Sequence, residues 1–119
     1  MSEESFIKSY VVDDDVLVVQ LHGSFDGETV PEFNEVVSQH FSDGRAKIII
    51  DCAHLGYINS SAVGSLVMLQ TRLRRKGGEV KLAALQGLPA DVIKLVRLDR
   101  LLDIYGDTAF AREAFTASS

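Results

Sequence analysis

The stretch that most constrains the fold runs from Lys47 to Lys76. Lys47-Ile48-Ile49-Ile50 is a short β-branched run, the pattern of a strand covered on both faces. It leads into Asp51 to Gly64, DCAHLGYINSSAVG, after which Val63, Leu66, Val67 and Leu73 recur at helical spacing. A buried strand feeding an amphipathic helix is a unit of α/β architecture. The junction carries Ser60-Ser61 behind Asn59. Asn and Ser are preferred helix caps, and capping alone is a complete account of all three. The same position is the positive end of a helix dipole, where unpaired N–H groups favour an anion. A phosphoryl group there is accommodated without unfolding the helix, so the residues allow both readings.

Upstream, Phe6 to Val12 and Val16 to His22 are strand-like runs joined by Asp13-Asp14-Asp15, which suits a tight hairpin. Leu17, Val19 and Leu21 share one face of the second run. Gly23 breaks the pattern and Asp26-Gly27 marks a turn. Thr29-Val30-Pro31-Glu32 reads as a capping box. It opens a helix with Phe33, Val36, Val37 and Phe41 inward, ending at Asp43-Gly44. Downstream, Gly77-Gly78 stops the helix that follows the serines, and Val80, Leu82 and Ala84 alternate as a strand. Pro89 starts a short helix with Val92, Ile93 and Val96 inward, and Leu101 to Tyr105 form a last strand. Asp107-Thr108 cap a C-terminal helix holding Phe110, Ala111, Ala114 and Phe115. Residues 1–4 and 116–119 read as flexible ends. The order β-β-α-β-α-β-α-β-α predicts one α/β domain over residues 1–119. Its sheet is mixed and four- to five-stranded, with right-handed crossovers and helices mostly on one face.

Composition narrows the function. With 12 Lys and Arg against 17 Asp and Glu, the net charge is −5, which argues against nucleic acid or anionic lipid as a partner. Arg72, Arg74, Arg75 and Lys76 complement the C-terminal end of a helix dipole. The single cysteine, Cys52, excludes an intrachain disulfide and reads as a small core residue. His22, His40 and His54 lie far apart in sequence with no second ligand at helical spacing, so no metal site is expected, and His40 reads as a boundary residue. No phosphate-binding glycine loop and no nucleophile–base arrangement is visible. Asp26 and Asp51 could meet near the sheet edge, but read as turn and cap residues. An acidic N-terminus without an apolar segment, and no long apolar run, lead to the expectation of a cytoplasmic protein without membrane insertion. No catalytic residue and no cofactor are expected.

Five fragments occur in a telling order. They are Gly23-Ser24-Phe25-Asp26 followed by Thr29, and Asp51-Cys52 with Leu55, Tyr57-Ile58 and Ser60-Ser61. Gly64 and Leu66 come next, then Gly77-Gly78 with Val80-Lys81-Leu82, and last Leu98-Asp99-Arg100-Leu101-Leu102. Together they resemble the STAS domain family, specifically the bacterial anti-sigma factor antagonists. The resemblance implies partner switching that regulates transcription. The unphosphorylated antagonist binds an anti-sigma factor of the GHKL serine-kinase type. That kinase phosphorylates it, and a phosphatase reverses the modification. The phosphorylated position matches Ser60, with Ser61 the second choice. The implied partner-binding set is Gly23, Ser24, Asp26, Asn59, Ser60, Ser61 and Ala62, with the exposed flank of the helix. The family usually has aspartate where this chain has Asn59 and glycine where it has Ala62. The first change removes a charge beside the modified serine. A second reading within the family is the STAS regulatory subunit of a lipid-transport ABC complex, a group that often shows threonine in this loop.

Overall fold

Ile48, Ile49 and Ile50 are 0–1% exposed, which places their strand at the centre of the sheet. The computed structural model describes residues 5–42 and 46–117. β1 (Ile7–Asp13) and β2 (Val16–Phe25) form the antiparallel hairpin, turning through Asp14 and Asp15. The chain continues through α1 (Val30–Ser42), β3 (Lys47–Ile58), α2 (Ser60–Arg75), β4 (Glu79–Ala83) and α3 (Gly87–Leu95). A 3-10 turn at Leu98–Arg100 precedes β5 (Asp103–Tyr105) and α4 (Thr108–Ala117). The five strands lie in the order β1-β2-β3-β4-β5, with every pair after the hairpin parallel. The predicted element order and mixed sheet are therefore the observed ones.

The two faces of β3 divide the core. Ile48 and Ile50 pack with Leu17, Val19 and Leu21 of β2 under α1, α2 and α3. Ile49 turns to the other face, where Val16 and Ala83 meet Ala111 and Phe115 of α4. Burial of this sort contributes about 1.5–3 kcal/mol per large aliphatic side chain. Lys81 of β4 is 3% exposed on this second side. Its ammonium bonds Glu79 at 2.7 Å and Asp103 at 3.3 Å, and stands 4.7 Å over the Phe115 ring. No helix among the described residues is long and apolar enough to cross a membrane.

Several boundaries differ from expectation, each for a local reason. Gly23 does not end β2. The strand passes through it at φ 77 and on to Phe25, with register shifts between Gln20 and His22 and between Gly23 and Ser24. β3 likewise continues past Ile50, because the second half of β2 offers it a partner as far as Ile58. The capping box is not used: Glu32 receives the Ser5 hydroxyl at 3.3 Å, and Thr29 Oγ1 turns back to donate to the Ser24 carbonyl at 2.9 Å. β4 stops at Ala83, since Ala84 is left-handed at φ 61. α3 begins at Gly87 rather than Pro89, and Val96 lies beyond it, 48% exposed. Leu101 falls in the turn before a three-residue β5. Phe110 is 59% exposed while Ala111 and Phe115 are buried, so the inward face of α4 is narrower than its apolar content. Thr116 belongs to that helix, donating to the Arg112 carbonyl at 3.2 Å. The expectations at the Phe41 side chain, at Asp43-Gly44 and at residues 1–4 and 118–119 lie outside the described residues.

The end of α2 follows its glycines. Gly77 N–H donates to Arg74 at 3.1 Å and Gly78 N–H to Leu73 at 2.9 Å, the paired bonds of a left-handed helix terminus. A Cβ at Gly78 would overlap the Ala46 carbonyl. A second tie is Gln70, fully buried in α2. Its amide donates to the Leu101 carbonyl at 2.9 Å and accepts from Val80 N–H at 2.8 Å, joining helix, strand and turn.

Candidate functional site

One residue separates β3 from α2. Asn59 is extended (φ −120, ψ −174), its side-chain oxygen accepts Ala62 N–H at 3.2 Å, and its carbonyl accepts Val63 N–H at 3.0 Å. Its own N–H donates to the Phe25 carbonyl at 3.2 Å, which fastens the start of α2 to the end of β2. Ser60 and Ser61 are the first two residues of the helix, and both are exposed. Their hydroxyls make no hydrogen bond among the described residues. The cap is therefore Asn59 alone, and the serines are left over from the capping account. α2 has no acidic residue in its first turn, so its positive end is not offset by charge there.

The second predicted segment comes to the same place. β2 ends beside the junction, with Ser24 in register with Tyr57 and Phe25 with Ile58. A Cβ added at Gly27 would lie 3.7 Å from Ser61 Oγ, so the loop after β2 touches the serine pair. Gly23 and Ser24 are exposed. Asp26 is half-buried, and its carboxylate is engaged inside its own turn by the N–H groups of Glu28 at 3.0 Å and Thr29 at 3.3 Å. Ala62 is fully buried, so it offers the site a backbone N–H, already held by Asn59, rather than a side chain. Tyr57, 43% exposed next to Ser24, adds an aromatic surface that was not among the expected site residues. Its signal was present in the pattern: with Leu55 and Ile58 both buried, β3 cannot alternate strictly between them.

Below the serines, α1 and α2 leave a shallow groove floored by Val37 and Leu69. Its rim holds Met68, 61% exposed, and Ser65, whose hydroxyl bonds Asn34 Oδ1 at 3.1 Å. This is the exposed flank expected beside the junction.

Other titratable groups fall elsewhere. Asp51 does not meet Asp26. It receives Ala53 N–H at 3.1 Å and the Gln20 amide at 3.4 Å, half-buried on the sheet face that carries α4. His22 and His54 are not far apart. They are register partners on β2 and β3, with ring centroids separated by 4.8 Å, because the long β3 extension brings them side by side. His40 is buried rather than a boundary residue. No group of three or more His, Cys, Asp or Glu that could hold a metal ion occurs among the described residues. Cys52 is 2% exposed. Burial, reinforced by the charge of Asp51, pushes its thiol up to about 12.

Residues 8–111 match the STAS domain family. The chain belongs to the STAS family. Solved structures share this STAS fold. A candidate anti-sigma factor antagonist from Thermotoga maritima is 24% identical with a TM-score of 0.83, over 89% of this chain and 92% of that one. The unphosphorylated form of the anti-sigma factor antagonist SpoIIAA is 17% identical with a TM-score of 0.76, over 91% and 97%. The phosphorylated form of SpoIIAA, from Bacillus, is 18% identical with a TM-score of 0.68, over 89% and 99%. At these identities the likeness is one of fold. The segment that resembles the family's signature loop spans the end of β3, Asn59 and the first turn of α2.

Proposed function

We propose that this STAS protein is an anti-sigma factor antagonist, which binds an anti-sigma factor with serine-kinase activity of the GHKL type and is released by phosphorylation of Ser60. The observation that carries the reading is the position of Ser60. It is exposed at the first residue of α2 and outside the cap, next to Ser61, whose hydroxyl lies against the Gly27 turn that follows β2.

The chemistry of such a switch suits the geometry. Ala62 and Val63 N–H groups already have Asn59 as acceptor, while those of Ser60 and Ser61 have none among the described residues. A phosphate on Ser60 adds about −1.5 to −2 charges where free N–H groups and the helix dipole favour them. The fold is undisturbed, because the hydroxyl makes no internal contact to lose. With a protein docked over the junction the same charge would be buried without a counter-ion, which is costly. Phosphorylation then changes the interface and leaves the domain intact, and a phosphatase restores binding. The flank of α2 and the groove beside it extend the docking area.

The test is phosphopeptide mass spectrometry on the protein purified from its own organism, with co-purifying proteins identified in the same sample. Phosphate on Ser60 together with a GHKL-type kinase is the expected result. An unmodified junction with an ABC ATPase in the sample would refute the antagonist reading and place the chain in a lipid-transport complex.

A further inference from the structure

β1 is an outer strand of the sheet, with only β2 beside it among the described residues. Natural sheets protect such an edge by keeping it short, charged or bulged, because its unpaired N–H and C=O groups template another strand. The opposite edge, β5, is three residues long. β1 is seven, and its middle presents Tyr10, Val11 and Val12 at 54%, 57% and 41% exposure. Successive side chains alternate between faces, so Tyr10 and Val12 lie on one side of the sheet and Val11 on the other. A strand added at this edge covers apolar surface on both.

We propose that β1 is a homodimer interface, in which two copies of this chain pair their β1 strands antiparallel about a two-fold axis at Val11. The side chains select that register. An axis at Val11 sets Val11 against its own copy and Tyr10 against Val12 on the opposite face, twice by symmetry. It also brings Lys8, at the irregularity between Ile7 and Ser9, beside Asp14 of the other copy. The Asp14 side chain is 85% exposed in the hairpin turn, 3.7 Å from Arg112 of its own chain. An axis at Tyr10 would set Lys8 against Val12, and one at Val12 would set Tyr10 against Asp14. Of these three axes only the one at Val11 opposes apolar with apolar across Tyr10, Val11 and Val12 while setting a cation, Lys8, beside an anion, Asp14. This inference does not rest on the proposed function, and the junction before α2 stays free of the interface.

Cross-linking tests the register directly. Opposed residues across an antiparallel pair have Cα atoms about 4.5–5.5 Å apart, within the about 4.4–6.8 Å that a disulfide spans. Ser9 lies off the axis, and two copies of it would be about 13 Å apart. Under mild oxidation of the full chain, Val11→Cys should form a disulfide-linked dimer at least about tenfold faster than Ser9→Cys. Cys52 is buried and does not compete. Equal rates, or no cross-link at Val11→Cys, would overturn the proposal. Sedimentation of the wild type against Val11→Lys provides a second measurement. The wild type should dimerise, and the lysine should raise its dissociation constant at least about tenfold by opposing like charges. A wild type that stays monomeric at millimolar concentration, which would leave this edge to a strand of another protein, overturns it. So does a dimer indifferent to Val11→Lys.

Discussion

The carboxamide oxygen of Asn59 accepts the N–H of Ala62 at 3.2 Å, and neither adjacent serine shares that task. The cap is therefore separable by mutation from the switch proposed for Ser60. Asn59→Ala should lower stability by about 1 kcal/mol, the ordinary worth of a helix cap. Asn59→Asp should leave it unchanged or raise it by about 0.5 kcal/mol, since aspartate caps as well and adds charge at the positive end. Chemical denaturation of the two variants checks both.

Ser60→Asp should weaken binding of the proposed anti-sigma partner while leaving the melting temperature within about 1–2 °C of wild type, as expected for an exposed position outside any hydrogen bond. Calorimetric titration and a thermal melt on the same preparation decide it. A large loss of stability would return the serines to a capping role.

Gln70→Leu removes both bonds of a fully buried amide. The buried Val80 N–H is then left without its acceptor, while the half-buried Leu101 carbonyl keeps only the Arg74 guanidinium at 3.5 Å. An unsatisfied buried group costs about 1–3 kcal/mol, so the variant should lose at least about 1 kcal/mol despite its apolar side chain. Denaturant unfolding measures this, and loss of hydrogen-exchange protection at Val80 should accompany it.

Lys81 predicts an alkaline limb. Burial alone would lower its pKa, but the hydrogen bond and charge of Glu79, the hydrogen bond to Asp103 and the charge of Tyr105 outweigh it and hold the ammonium above the ordinary 10.5. A raised folded value means the native state keeps the proton longer than the unfolded chain. This contribution is therefore complete below pH 10.5 and is lost as pH rises through the folded value. The stability difference between wild type and Lys81→Met, followed from pH 9 to 12, should move against the wild type only above pH 10.5.

Cys52 should resist alkylation in the native state. With its thiol pushed up to about 12 and 2% exposed, iodoacetamide at pH 8 should leave it unmodified for hours and modify it within minutes in denaturant. Mass spectrometry of the intact chain gives the extent.

Most of the architecture was legible because periodicity reports burial. Ile48, Ile49 and Ile50 could form only a strand covered twice, and Gly77-Gly78 could only end a helix. The serine junction was legible for the same reason, lying where one period gives way to the other. Three-dimensional pairing was not legible. The extension of β3 to Ile58 depends on β2 offering a partner through Gly23, and it is this extension that sets His22 beside His54 and turns Tyr57 outward. Thr29 and Glu32 matched a cap by spacing, yet Ser5 and the Ser24 carbonyl compete for them, and both lie outside the local pattern. Nothing in the local pattern marks Gln70 as buried, and only the positions of Val80 and Leu101 explain why it is inside.

A one-residue connection between β3 and α2 leaves no hinge at Asn59. Whatever is written on Ser60 has no lever to pull: the strand behind it is tied into the sheet, and Phe25 holds the connector from the side. Under the proposed switch, a partner reading this surface meets a stiff template, senses a single local change and itself supplies any movement that follows. The dynamic part of that switch then belongs to the molecule that docks, and this domain serves as the fixed stamp against which it is tested.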